Sequence, residues 1–345
     1  YNDIYEDIKK VGAEEILMVD PGRLNFALYK NIPENVKKVE ERNPAILFKC
    51  VKNPTEVENI RIAEIKDSVA HVRFMKWLKE NVGKETITEM SASDKLDEFR
   101  AEMGGFIRPS FGPISAFGEH SAIVHYSSSP ETNVELHEGT FLMTDTGAGF
   151  YEGSTDITRT YAFGEVSQIM KDHFTLVAIS NLNLASPIFK KGCCGMNFDY
   201  LARKPFWDRG LDFNHGTGHG VGYLLNIHEG PAGFRYTYRA GESDAFQPGM
   251  VITDEPGIYI EGSHGVRLEN ELLVREGEKN EYGEFLYFET ITYVPFDLDA
   301  INPDIMNAED KERLNTYHAT VYEKVSPYLN DEEKEWLKKY TRAIQ

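Results

Sequence analysis

The chain has 345 residues, 41% of them hydrophobic and 12% aromatic, enough to bury a sizeable core and too many for wholesale disorder. Its formal net charge of -19 argues against nucleic acid and anionic membrane surfaces as main partners. No apolar run approaches the roughly 18 residues of a membrane span. The cysteines Cys50, Cys193 and Cys194, an odd count with one adjacent pair, form no disulfide framework and fit reduced thiols in a cytoplasmic protein.

Residues 1–49 read as the end of a small α/β unit. Glu15 to Val19 is an apolar strand, Asp20-Pro21-Gly22 a turn, and Arg23 to Tyr29 a short helix. Val36–Val39 and Ala45–Val51 are expected as strands. So small a unit cannot bury a good core alone, which is expected of a remnant whose N-terminal partner elements are missing. The start at Tyr1 shows no signal peptide and fits a processed protein or a fragment.

A boundary follows at Lys52-Asn53-Pro54-Thr55, where Asn53 suits a helix cap and Pro54 the first helical position. From Glu56 to Val82, Ile60, Ala63, Ile65, Val69, Val72, Met75 and Leu78 recur at helical spacing. Ser91–Met103 is a second helix, ended by Gly104-Gly105. Phe106–Tyr126 and Thr140–Phe163 read as extended, Gln168–Lys190 and Phe198–Gly210 as helical, and Asn214–Val274 as strand-rich. Asn307–Ile344 is a polar, helix-biased tail. Strands and helices in separate blocks predict an α+β fold, with residues 50–298 as the main domain and 299–345 as a helical extension.

Two stretches echo one another. Gly139 is followed by Asp145 and Gly147, and Gly249, at the same offsets, by Glu255 and Gly257. Both continue to a Glu-Gly turn, at 152–153 and 261–262, and then to a further acid, Asp156 or Glu269. Each copy predicts a β-hairpin with one carboxylate per arm, and strand alternation puts Phe141, Met143 and Asp145 on one face and Val251, Thr253 and Glu255 on another. An acid at the end of an apolar strand is costly without compensation. Four of them in two similar hairpins point to a shared charge partner, for which metal ions are the obvious candidate.

Between the hairpins lies His215-Gly-Thr-Gly-His219-Gly-Val-Gly222. Its glycines oppose the helix that a His-Glu-x-x-His zinc site needs. They predict instead an extended segment with close backbone approach, with His215, Thr217 and His219 facing one side. His228 follows nine residues after His219, and His125 closes the apolar segment Ala122–Tyr126, which is expected as a strand. His120, His137, His173, His264 and His318 read as ordinary structural or surface histidines.

With Asp145, Asp156, His219, Glu255 and Glu269 in this order, the chain resembles the creatinase and methionine-aminopeptidase-like "pita-bread" metallopeptidases. The strings Thr155-Asp-Ile-Thr-Arg-Thr160, His215–Gly222, His228-Glu-Gly-Pro231 and Asp254-Glu-Pro-Gly-Ile-Tyr259 are most similar to the Xaa-Pro aminopeptidases, and the resemblance covers about residues 50 to 345. Tyr287–Asp297 and the helical tail are similar to the long, three-domain type, in which two domains precede the catalytic one. The resemblance implies pseudo-equivalent halves with the metals between them, and a homodimer. It implies that Asp145 binds one ion, that Asp156 and Glu269 bridge, and that His219 and Glu255 complete the other. Glu255 would shuttle a proton, His228 would stabilise the tetrahedral intermediate, and His125 and His215 would shape the proline site. Arg267, two residues before Glu269, would orient Asp156 or its neighbours, and Tyr259 would support the site.

Four carboxylates and one imidazole suit Mn²⁺, with Co²⁺, Fe²⁺ or Zn²⁺ tolerated, and two such ions can bring a shared water near neutrality. The expected substrate is a peptide with proline in second position, cut after residue one. A proline amide lacks the N–H that other substrates offer, so it needs a dedicated pocket. The rivals are a prolidase acting on Xaa-Pro dipeptides, which the tail disfavours, and a non-catalytic protein-binding module or a metal-free hydrolase, both disfavoured by the full ligand set.

Overall fold

Short apolar runs shape the first 49 residues. Helix α1 (Ile4–Asp7), strand β1 (Ile16–Val19), helix α2 (Phe26–Lys30) and strand β2 (Lys37–Glu40) follow in order, with β1 and β2 paired in parallel. Val19, Ile32 and Val36 form their small core. Ala45–Val51, expected as a strand, is instead helix α3 (Ala45–Cys50). Asn43 accepts from the Ala45 N–H, and this local bond starts a helix that a four-residue apolar run does not reveal. The computed structural model describes all 345 residues and separates Tyr1–Lys49 from a second unit, Cys50–Gln345.

Helix α4 (Pro54–Asn81) opens the second unit where the sequence predicts. The Asn53 side chain accepts from Thr55 and Glu56 N–H, and Glu56 accepts from Asn53 N–H, so the capping box satisfies donors that would otherwise be orphaned. Its buried face, including Ala70, Phe74 and Leu78, packs on helix α5 (Glu89–Glu102) through Leu96. Strands β3 (Phe106–Pro109), β4 (Ile114–Phe117), β5 (Phe141–Thr146), β6 (Ala148–Phe150), β7 (Gly153–Ser154) and β8 (Ile157–Ala162) then form two small antiparallel sheets, β4-β5-β8 and β3-β6-β7. Ala122–Tyr126 is no strand. A 3-10 turn over 118–122 runs into a bend, with Ile123 exposed, because no strand is free to pair with it.

Helix α6 (Gln168–Ala185) ends five residues before Lys190, and Ile188–Lys190 forms strand β9. The tertiary pairing of β9 with a later strand decides this end. Helix α7 (Asp199–Trp207) and strands β10 (Gly218–His219) and β11 (Gly233–Phe234) lead to β12 (Val251–Asp254), β13 (Gly257–Ile260), β14 (His264–Arg267), β15 (Asn270–Asn280) and β16 (Gly283–Thr290). These give the sheet β12-β15-β16-β9 and the hairpin β13-β14. Helices α8 (Ala308–Val325) and α9 (Asp331–Tyr340) form the tail, and their Leu314, Val321 and Leu337 share one core with Phe174 and Val177 of α6 and Val266 and Leu268.

The echo is structural. In one half β5 pairs with β8 while β6 and β7 form the tip; in the other β12 pairs with β15 while β13 and β14 form the tip. The expected single hairpins are therefore each broken into two pairings, and the acids lie at the breaks. Asp156 stands one residue before β8, Glu255 one after β12, and Glu269 one before β15. The halves touch there: Glu269 N–H donates to Thr158 O, and the Thr160 hydroxyl donates to Arg267 O.

Candidate active site

Asp156, His219 and Glu269 each direct a ligand atom to one point, with all three atoms within 4.8 Å of one another. The alternating glycines explain how His219 reaches it. A Cβ at Gly218 would run into the Thr253 carbonyl and one at Gly220 into the Glu229 carbonyl, so only glycine lets β10 lie this close to its neighbours. The His219 N–H donates to Thr253 Oγ1 at 3.0 Å and pins the strand to β12. Thr217, expected to face the same way, is turned to α7, where its hydroxyl donates to Asp199 Oδ1. The backbone is not a strand at Thr217, so strand alternation does not apply there.

His219 Nδ1 lies 2.9 Å from the Gly220 carbonyl, which can only accept. With Nδ1 as donor, Nε2 presents its lone pair. It faces Asp156 Oδ2 at 3.5 Å and Glu255 Oε1 at 3.7 Å. A lone pair and carboxylates converging on one point call for a cation, whether protons or a metal ion. Asp145 Oδ1 is buried with no hydrogen-bond partner, a second vacant donor atom. The donor set of oxygens and one imidazole nitrogen therefore fits divalent metal ions.

Electrostatics say the same. Burial pushes the Asp156 carboxyl well above the usual carboxylate range, and the charges of Asp145 and Glu255 add to it. Glu269 is pushed well up by burial and then by Asp156 and Glu255. Burial also raises Glu255, against the pull of His219. So many carboxylates share so small a volume only if protons or metal ions neutralise them.

Arg267 supplies the fixed positive charge. Its Nη2 donates to Asp145 Oδ2 at 2.5 Å and its Nη1 to the Tyr259 hydroxyl at 2.7 Å. It thus orients Asp145, not Asp156. The Tyr259 oxygen lies 2.9 Å from His215 Nε2, while His215 Nδ1 lies 2.8 Å from the Gly216 carbonyl. Nδ1 is the donor and Nε2 accepts from Tyr259. Burial, then Arg267, takes His215 down to about 3, so it stays neutral.

The His228 ring sits 4.0 Å from that of His219. Solvent reaches it, yet desolvation, then His219, brings it down to about 4. His125 is exposed, in the bend after the 3-10 turn, and close enough for its charge to act on both His215 and His228. Of the other histidines, His173 pairs with His264, His120 with Glu89, and His318 accepts from the Phe296 N–H.

Two supports were missed in the sequence. The Thr158 hydroxyl donates to Glu269 Oε2 at 2.6 Å, and Glu271 Oε1 accepts from the Asp156 N–H at 2.9 Å. Both are strand residues two positions from an acid, and that period is the signal that finds them.

This fold and site agree with what the chain matches. The profile of metallopeptidase family M24 covers residues 58–276 and that of the C-terminal region of peptidase M24 covers 284–344. The chain belongs to metallopeptidase family M24 and has its pita-bread fold, and its Asp156, His219 and Glu269 form a group able to hold a metal ion.

Within the family its relatives are Xaa-Pro aminopeptidases. Aminopeptidase P1 of Arabidopsis thaliana is 38% identical over 95% of this chain and 54% of its own length. Xaa-Pro aminopeptidase 2 of Homo sapiens is 34% identical over 100% of this chain and 51% of its own length. The X-prolyl aminopeptidase of Caenorhabditis elegans, described as a cytosolic enzyme with a di-nuclear active site, superposes with a TM-score of 0.92 at 31% identity, over 100% of this chain and 57% of that one. A Bacillus anthracis Xaa-Pro dipeptidase superposes at 0.68 with 28% identity, over 86% of this chain and 78% of that one. The chain spans about half the length of the curated relatives it matches.

Proposed function

We propose that this chain carries the catalytic part of a metal-dependent aminopeptidase that removes the first residue from peptides with proline in second position. The convergence of Asp156, His219 and Glu269 where two matched hairpins meet carries the proposal. Asp145 and Glu255 complete the ligand set beside them, each one strand end away. Four oxygen ligands and one imidazole favour Mn²⁺. Metal ions held by these residues would supply Lewis acidity toward the scissile carbonyl and the attacking water.

The chain's own groups do the rest. Glu255, whose raised carboxyl can hold a proton, takes one from the attacking water and passes it to the leaving nitrogen. His228, neutral near pH 7, donates its N–H to the oxyanion that develops on the carbonyl, worth about 3 kcal/mol. His215, kept neutral by burial and Arg267 and held by the Tyr259 hydroxyl, and His125 line the side that receives the proline ring. Arg267 keeps Asp145 aimed at the centre and compensates part of its charge.

The Xaa-Pro aminopeptidase reading is preferred over a prolidase because the tail helices are integral: the Arg159 guanidinium, on β8, donates to the Tyr317 hydroxyl of α8 and to Asn270 Oδ1 beside Glu269. By analogy with longer relatives, residues 1–49 are the end of a preceding domain, 50–298 the catalytic domain and 299–345 its extension. A homodimer in the cytoplasm is the expected state; no helix is long and apolar enough to cross a membrane. Glu255→Ala should abolish turnover of an Xaa-Pro-Pro peptide while the protein stays folded by circular dichroism. Retained turnover removes the role assigned to Glu255.

A further inference from the structure

Lys52 lies in the boundary segment just before α4, far in sequence from every residue of the site. Its side chain is 1% exposed. An ammonium is costly to bury unless every nearby partner compensates it. Here Nζ lies 2.9 Å from Glu229 Oε1 and also donates to the Val221 carbonyl. Val221 follows His219 by two residues on the outgoing arm of the 219–231 loop. Glu229 follows His228 directly on the returning arm. One charge therefore ties the two arms of the loop that carries His219 and His228.

The backbone of Lys52 is itself fixed. Its N–H donates to the Gly249 carbonyl at 2.9 Å. Gly249 has φ +93°, and a Cβ there would press on the Lys52 carbonyl. The loop adds its own rungs, Glu229 N–H to Gly220 O and Val221 N–H to Val251 O. These rungs are backbone bonds, and the Lys52 ammonium adds a bond to the buried Glu229 side chain itself.

We propose that Lys52 is a positioning residue that clasps the 219–231 loop and so sets where His228 stands beside His219. A methionine, one heavy atom shorter, would fill most of the same space with less desolvation cost, so what the ammonium adds is the geometry it imposes. The consequence for turnover rests on the peptidase reading; the clasp itself does not.

The test uses the metal-loaded chain with Lys52→Met, and with Lys52→Met combined with Glu229→Gln so that the negative charge facing Lys52 is removed with it. Both variants should raise hydrogen–deuterium exchange in residues 219–231 by about fivefold or more, with α4 and β15 within about twofold of wild type. On an Xaa-Pro-Pro peptide kcat should fall by about tenfold or more and KM by less than about threefold, the pattern of a misplaced group rather than a lost binding contact. If the single variant does not fold, the double variant carries the test. Wild-type exchange in 219–231 overturns the clasp, and raised exchange with unchanged kcat overturns the positioning role. A wild-type chain without peptidase activity sinks the peptidase reading instead, and exchange alone then decides the clasp.

Discussion

Thr158 joins the two halves of the site through one hydroxyl. It donates to Glu269 Oε2, while Arg267 Nε approaches it at 3.3 Å. Without it Glu269 loses its only side-chain donor and turns freely in a buried space. Thr158→Val keeps the shape and removes the bond. It should lower metal affinity, measured by Co²⁺ titration, by about 10–100-fold, as loss of a partner behind a metal ligand does. Unchanged affinity would show that Glu269 is held by other contacts. At this scale the sequence was legible where charge and period coincide. Asp145, Asp156, Glu255 and Glu269 stand out because an acid ending an apolar strand needs a reason. Lys52 does not stand out, because nothing local distinguishes a lysine that will be buried from one that will not.

Among the elements, β10 depends most on residue size. Gly218→Ala would drive a methyl into the Thr253 carbonyl between two strands that cannot separate without losing the site. Overpacking at such a contact costs about 1–3 kcal/mol. Gly112→Ala has nothing within 4 Å of the new methyl and ordinary φ, so it serves as the control. Urea midpoints should fall for the first and stay for the second; equal midpoints would show that β10 can move aside. Helix α4 was legible to its first residue because Asn53, Pro54 and Glu56 act within one turn. Helix α3 was not, since a single side-chain bond from Asn43 starts it, and strand β9 and the bend at His125 were not, since each is decided by whether a distant strand is available to pair. The breaks in the two hairpins were hidden for the same reason: the acids mark the place, and only the sheet pairing shows that the strand changes partners there.

For the whole second unit, the tail is part of the core and its titration is part of the stability. His318 on α8 is fully buried, accepts from the Phe296 N–H, and is taken down to about 3 by burial and then by the charges of Arg159 and Arg342. Above about pH 6.5 it is neutral whether folded or not and costs nothing. Below that, the unfolded chain binds a proton that the folded one refuses, so stability is lost as pH falls towards 3. His318→Gln should reduce the slope of unfolding free energy against pH by up to about 1.4 kcal/mol per unit between pH 6 and 4. An unchanged slope in urea melts would mean that His318 is protonated in the native state.

The two-hairpin centre is proposed as a metal-dependent peptidase site selective for proline. It is tested most directly by incubating the purified chain with an Xaa-Pro-Pro peptide, the matching Xaa-Ala-Pro peptide and an Xaa-Pro dipeptide, each with Mn²⁺ and with chelator. Release of the first residue from Xaa-Pro-Pro alone, present with Mn²⁺ and absent in chelator, is the result expected. Equal cleavage in chelator would contradict the metal site, and cleavage confined to the dipeptide would make the chain a prolidase.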